Sequence, residues 1–259
     1  MIEFQAPTPH PLAVSVRCLR KSFGAREVLK GLSIDVPRGS ICVILGGSGM
    51  GKSVLMKHII GLLRPDAGEV LIDGEDITRL SAVELKGMRT KFGMVFQQAA
   101  LFDSMTNYDN VAFPLREHRA LSPDALDLRV RELMQLFSLD PDEVGPRFPS
   151  EISGGQRKRV GLARAVALEP SIVLYDEPTT GLDPITTDQV DEMILQAKRK
   201  LGVTSIVISH DIGSAFRIAD QIVFVYRGEI VARGHQAEML GSEHPFVRQF
   251  FATWREKNR

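Results

Sequence analysis

Cysteine is nearly missing from this chain. Cys18 and Cys42 are the two present in 259 residues, too few for a disulfide framework. Both lie in strand-like apolar surroundings. A single disulfide is chemically possible, but buried reduced thiols of a cytosolic protein are the expectation. An excess of one charge is missing too. Lys+Arg and Asp+Glu number 32 each, for a formal net charge of +0, which argues against nucleic acid as the main partner. No apolar run approaches the ~18 residues that span a bilayer. The opening MIEFQAPTPHPLA lacks the basic start and apolar core of a secretion signal. Internal repeats and low-complexity tracts are absent. What remains is ordinary: 44% hydrophobic and 25% charged residues, the composition of a soluble globular protein with one large domain or two small ones.

One stretch is not ordinary. Gly46-Gly47-Ser48-Gly49-Met50-Gly51-Lys52-Ser53 fits the phosphate-loop pattern G-x-x-x-x-G-K-[ST] at every fixed position. The run Ile41–Leu45 before it reads as a buried strand, and Val54–Ile60 after it reads as a helix. Glycines let the backbone wrap a polyphosphate with its N–H groups turned inward. The helix start adds partial positive charge and Lys52 a full one. Ser53 is placed to ligate a magnesium ion on the outer phosphates.

Residues 1–12 are proline-rich and expected to be loose. Residues 13–45 read as several short strands. Gly68–Gly74 reads as a strand ending in an Asp-Gly turn, and 91–97 as a strand leading to Gln97. Residues 105–168 are largely helical by pattern. Ser122-Pro123 supplies an N-cap and first turn, and Leu126, Val130, Leu133 and Phe137 share one helix face. Parallel-type strands then follow at 171–175, 205–209 and 222–226, with a helix pattern between each pair. The expected class is α/β, interrupted by a helical insertion.

The strand Ile172–Tyr175 ends in Asp176-Glu177. An aspartate there can hold Mg²⁺ and a glutamate can deprotonate the attacking water. Alone, the pair fits an exposed acidic turn equally well; beside a phosphate loop the catalytic reading wins. Ser153-Gly154-Gly155 alone would be a helix cap and turn, Gln97 a polar strand end, and His210 a structural histidine. Arg157, Lys158 and Arg159 read as a solvated helix face rather than phosphate ligands.

Taken in order, these pieces resemble a known family. Ile152-Ser153-Gly154-Gly155-Gln156 resembles the LSGGQ signature of ABC-type ATPases, with Ile for Leu. Val95-Phe96-Gln97-Gln98 resembles their glutamine loop, and Ser209-His210-Asp211 their switch histidine. Asp183 in Gly181-Leu182-Asp183-Pro184 matches their aspartate loop. Phe23 stands where an aromatic, more commonly Tyr, stacks on adenine. The resemblance runs from about Val14 to Gly234. It implies a P-loop NTPase core with an antiparallel β subdomain and an inserted helical subdomain. The implied division is 13–97 (core, β subdomain and phosphate loop), 98–165 (helical subdomain with the signature), 166–235 (second core part) and 236–259 (helical tail).

It also implies ATP and Mg²⁺ as ligands, with Glu177, His210 and Gln97 catalytic and Ser53, Gln97 and Asp176 at the metal. Phosphate loop and signature serve opposite sides of each nucleotide in that family, so a second copy of the chain is an implied partner. The helix start at Ser153 suits a γ-phosphate held by the other copy.

The segment Phe96–His118 further resembles the ATPase subunits of MCE-type (Mla/Mkl-like) lipid transporters, as does the tail Pro245–Phe251. Departures are Gln156 in the signature and a short, differently ended C-terminus. The implied partners are a polytopic membrane permease, an MCE-type substrate-binding protein and a small regulatory subunit. The implied place is the cytoplasmic face of the inner membrane, held peripherally. An energy subunit for amino acids or lipoproteins is the alternative. A non-transport ABC ATPase is disfavoured, since the chain has neither a second cassette nor a long coiled-coil insert. Leu101, Phe102, Met105, Tyr108, Val111, Phe113 and Leu115 form an apolar group of weak periodicity. It reads either as packing between core and insertion or as a docking surface for the permease.

Overall fold

The computed structural model describes residues 11–97 and 99–257. The expectation of a loose start therefore falls, for residues 1–10, outside the described residues, while Leu12 already belongs to a strand. Residues 13–45 are not several short strands. Two long ones, β1 (Leu12–Phe23) and β2 (Arg26–Pro37), pair antiparallel and precede a short β3 (Ile41–Leu45). A bulge breaks the register of β1 between Val16 and Leu19, where Cys18 takes a left-handed φ of 48°. The bulge turns Cys18 outward, so the expectation of two buried thiols fails for it. Cys18 is exposed and free, and Cys42 is buried and free, with burial pushing its thiol up to about 12.

Helix α1 (Lys52–Ile59) follows the phosphate loop, and β4 (Ala67–Ile72) adds to β1 on the side away from β2. With β5 (Glu75–Asp76) they form a four-stranded antiparallel sheet in the order β2-β1-β4-β5. Asp73 and Gly74 both have positive φ, the conformation of the hairpin turn that Asp-Gly favours. Helix α2 (Ala82–Arg89) starts in a capping box made by Ser81 and Glu84. Strand β6 (Phe92–Val95) stops two residues short of Gln97.

Helices α3 (Asn107–His118), α4 (Pro123–Leu136), α5 (Pro141–Val144) and α6 (Gly154–Ala165) make the insertion. The Ser122 hydroxyl caps α4, and Val130, Leu133 and Phe137 are buried together. Strands β7 (Ile172–Asp176), β8 (Thr204–Ser209) and β9 (Gln221–Tyr226) alternate with α7 (Pro184–Leu201) and α8 (Ile212–Ile218). Strand β10 (Glu229–Gly234) returns antiparallel to β9. Helices α9 (Gln236–Leu240) and α10 (Pro245–Lys257) close the described chain.

The main sheet has six strands in the order β10-β9-β3-β8-β7-β6. Strand β3 lies between parallel neighbours and is buried on both faces, which is why its sequence is an unbroken apolar run. Its side chains alternate between two cores. Ile41, Val43 and Leu45 join the core shared by α7, α8 and the helical insertion, with α8 against β3, while Cys42 and Ile44 join that of α1 and the antiparallel sheet. Strands β3, β8, β7 and β6 run parallel, with Leu45 beside Ser209, Asp176 beside Ile208 and Val95 beside Tyr175. Their carboxyl ends therefore open onto one edge, where open α/β sheets bind ligands.

Candidate functional site

Four loops leave that edge, and they meet. The phosphate loop from Gly47 to Ser53, Gln97, Asp176, Glu177, Thr180 and His210 line one cleft of about 660 Å³. The loop's course depends on glycine. Gly46 has a φ of 152°, and a Cβ there would stand 2.4 Å from the Val225 carbonyl oxygen of β9, a distance no side chain tolerates. Gly51, at a φ of 103°, is the N-cap of α1, so the first free N–H groups of the helix open toward the cleft.

Lys52 is 7% exposed. Its Nζ donates to the carbonyl oxygens of Gly46 (2.7 Å) and Gly47 (3.0 Å) and lies 3.6 Å from Glu177 Oε1. Burial lowers its pKa, opposed by the charges of Glu177 and Asp176. Asp176 is shifted upward, first by burial and then by the neighbouring Glu177 carboxylate. A desolvated carboxylate beside another gains from a divalent cation, so this donor set fits Mg²⁺. Glu177 sits at a left-handed φ of 51°, with its N–H on the Ile208 carbonyl (2.9 Å). Its Oε2 takes a hydrogen bond from Thr180 Oγ1 at 2.9 Å and pairs with His210 Nδ1 at 2.6 Å. Thr180 carried no sequence signal beyond lying three residues after Glu177.

Other expected site residues stand apart from this cleft. Ser153 is the N-cap of α6. Its hydroxyl accepts from the Gln156 N–H (3.2 Å), and Gln156 Oε1 accepts from the Ser153 N–H (2.9 Å). Gln156 thus closes a capping box around Gly154 and Gly155. Asp183 caps α7 through the Thr186 N–H (3.0 Å). Phe23 ends β1, 49% exposed, with the Lys21 ammonium 5.7 Å from its ring centre. A second cleft, of about 330 Å³, shares Ser48, Gly49 and Met50 with the first and reaches Arg26 and Val28 at the start of β2. Met50 lines both clefts, with Sδ accepting from the Arg227 N–H at 3.3 Å.

The basic run after the signature is not a solvated face. Arg157 donates to the carbonyl oxygens of Pro149 and Ile152, Arg159 to that of Phe137, and Lys158 to that of Pro178. Carbonyls of three neighbouring segments claim the three cations, and burial lowers the Lys158 pKa. The apolar group after Gln97 divides. Val111 and Leu115 are core residues of α3. Phe102, 42% exposed, packs against Phe113 with the rings tilted and their centres 5.0 Å apart. Both line a groove of about 540 Å³ with Met94, Phe96 and Leu168.

The family model described as ABC transporter matches residues 29–180, a span holding the phosphate loop, Gln97, the Ser153 helix start and the carboxylate pair. The chain belongs to the ABC transporter family. It is 45% identical, over 93% of its length and 69% of the relative's, to the probable ribonucleotide transport ATP-binding protein mkl of Mycobacterium leprae. It is 41% identical to the intermembrane phospholipid transport system ATP-binding protein MlaF of Haemophilus influenzae, over 92% of this chain and 89% of that one. MlaF of Escherichia coli K12 is 40% identical, over 92% and 87%. Among solved structures, the dimeric post-hydrolysis state of the ATP-binding cassette MJ0796 with ADP and Pi is 31% identical. Its TM-score is 0.77, over 86% of this chain and 98% of that one. The cbiO1 subunit from Clostridium perfringens, 28% identical, gives a TM-score of 0.83 over 93% and 94%. As an ABC ATPase the chain binds ATP, and its cleft is built for hydrolysing it.

Proposed function

We propose that this chain is the ATP-hydrolysing subunit of a phospholipid transporter, acting as a homodimer beneath a polytopic membrane permease. The observation that carries the chemistry is the meeting of Lys52, Asp176, Glu177 and His210 in one cleft from which Ser153 is missing. The phosphate loop and Lys52 hold the triphosphate. Ser53, Asp176 and Gln97 would hold Mg²⁺, which supplies charge neutralisation across the outer phosphates.

Glu177 is the general base. Thr180 and His210 occupy its Oε2, and Oε1, 3.6 Å from the Lys52 ammonium, is the oxygen that accepts the water proton. The water oxygen bonds the γ-phosphorus as the bridge to the β-phosphate breaks, giving ADP and phosphate. Ser153, Gly154, Gly155 and Asp183 complete the site on the nucleotide held by the other copy. The dimeric cassette among the similar structures supports that arrangement. Phe23, exposed at the end of β1, is the proposed stacking partner of adenine.

Among the described residues no helix is long and apolar enough to cross a membrane. The proposed membrane attachment is therefore peripheral, through the groove of Phe102, Phe113 and Met94, at the cytoplasmic face of the inner membrane. An MCE-type substrate-binding protein and a small regulatory subunit complete the proposed assembly. The lipid assignment is supported by likeness to MlaF proteins over most of both chains. The mkl relatives bear a ribonucleotide name instead, so ribonucleotide is the second cargo to test. The test is to purify the chain with its membrane partner and reconstitute it between donor and acceptor vesicles. ATP-dependent phospholipid transfer is expected, lost in Glu177→Gln. Transfer of ribonucleotide in place of lipid overturns the lipid reading.

A further inference from the structure

The segment after Gln97 has an improbable backbone. Ala99 and Ala100 hold consecutive left-handed φ values of 61° and 46°, which cost a side chain about 1–2 kcal/mol each. Neither is glycine, so surrounding contacts must hold them. Ala99 is 2% exposed, and the element covering it is the signature helix. A Cβ added at Gly161 of α6 would stand 3.0 Å from Ala99 Cβ. One turn on, Arg164 Nη2 donates to the Ala99 carbonyl at 2.9 Å.

Arg164 does more than hold one carbonyl. Its Nη1 reaches Asn110 Oδ1 at 3.4 Å, and its guanidinium lies over the Phe102 ring at 5.5 Å. Asn110 is fully buried, and its side chain bonds the N–H and carbonyl of Phe102 and the carbonyls of Met105 and Thr106. Burial alone lowers the Arg164 pKa, with no carboxylate contributing. A half-buried guanidinium answered by neutral oxygens and a ring is a costly fixture. What it secures is position.

We infer that Arg164 is a positioning residue that ties the glutamine loop to the signature helix. It rests on the reading of Gln97 given above. Helix α6 starts at Ser153, at the proposed second-copy contact, and reaches Arg164 about 16 Å later at 1.5 Å per residue. It acts as a rigid rod. One end faces the partner's nucleotide; the other grips the chain two residues from Gln97. Movement of the signature is thereby delivered to the chain's own cleft and to Phe102 in the docking groove.

The tie is tested by hydrogen exchange and hydrolysis on the full chain. The amides of Ala99, Phe102 and Met105 are hydrogen bonded, so their exchange reports the segment. In Arg164→Met their exchange is expected to rise about tenfold or more, while amides of the phosphate loop do not change. ATP affinity is expected to stay within about twofold, and hydrolysis to fall on the order of 10- to 100-fold. Arg164→Lys is not expected to rescue it, since an ammonium cannot span both acceptors in the fork geometry.

A second pair of variants avoids the guanidinium and any folding defect its loss brings. Gly161→Ala pushes on Ala99 and is expected to reproduce both effects. Adding Ala99→Gly removes the clash at a φ that glycine adopts freely and is expected to restore hydrolysis. Unchanged exchange in Arg164→Met, or no rescue in the double variant, overturns the inference. Gln97→Ala serves as the reference. If it is slow while a loosened Arg164→Met hydrolyses at the normal rate, the positioning role alone fails. If Gln97→Ala hydrolyses normally, the reading of Gln97 fails and takes this inference with it.

Discussion

His210 Nδ1 stands 2.6 Å from Glu177 Oε2, and Thr180 Oγ1 donates to the same oxygen. Two groups thus fix one side of the carboxylate, and Oε1, which faces the Lys52 ammonium at 3.6 Å, is the oxygen left to accept a proton. Glu177→Gln preserves the shape and removes that acceptor. Turnover is expected to fall on the order of 10²–10⁴-fold with ATP binding retained. The variant should accumulate as an ATP-held dimer on size-exclusion chromatography. Unchanged hydrolysis would move the base elsewhere, to His210 first.

Lys52→Ala removes the full positive charge of the loop. Loss of a charge-assisted contact costs roughly 1.5–3 kcal/mol, about 10- to 150-fold in ATP affinity. Calorimetry on the purified chain measures it. Near-normal affinity contradicts the role given to the loop.

Ser153→Arg places a long side chain at the start of α6, outside the cleft of its own chain. Filter binding should show ATP affinity nearly intact while hydrolysis is lost, because closure of two copies is blocked. Mixing it with Lys52→Ala chains should leave at most one whole composite site per dimer. Normal hydrolysis by Ser153→Arg alone rules out a head-to-tail site.

Phe102→Asp alters the docking groove without touching the cleft. Phe102 is partly exposed and packs on Phe113 and the Arg164 guanidinium, so folding and ATP binding should change little. Co-purification with the membrane partner should be lost, with a melting curve as control. A collapsed melting curve makes Phe102 a core residue; retained association puts the docking surface elsewhere.

Asp191 of α7 is 0% exposed, takes a hydrogen bond from Ser214 of α8 and lies 3.4 Å from Arg217 Nη1. Burial pushes its carboxyl up to about 6, against the Ser214 bond and Arg217 and with help from Asp211 and Asp188. A folded-state value above the unfolded one gives stability that is full below about 3.8 and is lost as pH rises through about 6. Asp191→Asn cannot ionise. Its melting temperature relative to the natural chain is expected to climb between about pH 4 and about pH 6 and to level off above that. A constant difference across that range excludes titration of Asp191.

Much of this was legible because it is local. The phosphate loop, the carboxylates after β7 and the histidine after β8 each sit at a strand end, and a buried parallel strand announces itself as an apolar run. What escaped depended on distant partners. Cys18 is outside because β1 bulges, which no apolar pattern records. The Arg157–Arg159 run looked solvated because its carbonyl acceptors come from three other segments. Helix α3 lies inside the expected helical stretch, but the apolar group around it showed weak periodicity, because Pro114 stands inside the helix and Phe102 and Met105 precede it. Thr180 joined the site through a turn, and Arg164 gave no sign in the sequence of reaching back to Ala99.

The backbone of Glu177 bears on how this protein is engineered. At a φ of 51° glycine would sit without strain, and replacing glutamate there relieves on the order of 1 kcal/mol. A stability screen blind to turnover would weigh that relief only against the contacts of the carboxylate to Lys52, Thr180 and His210 and would give no weight to the hydrolysis lost with it. Thermal tolerance and motor activity thus compete at one residue, so selection for heat resistance has to be scored on work delivered at the membrane.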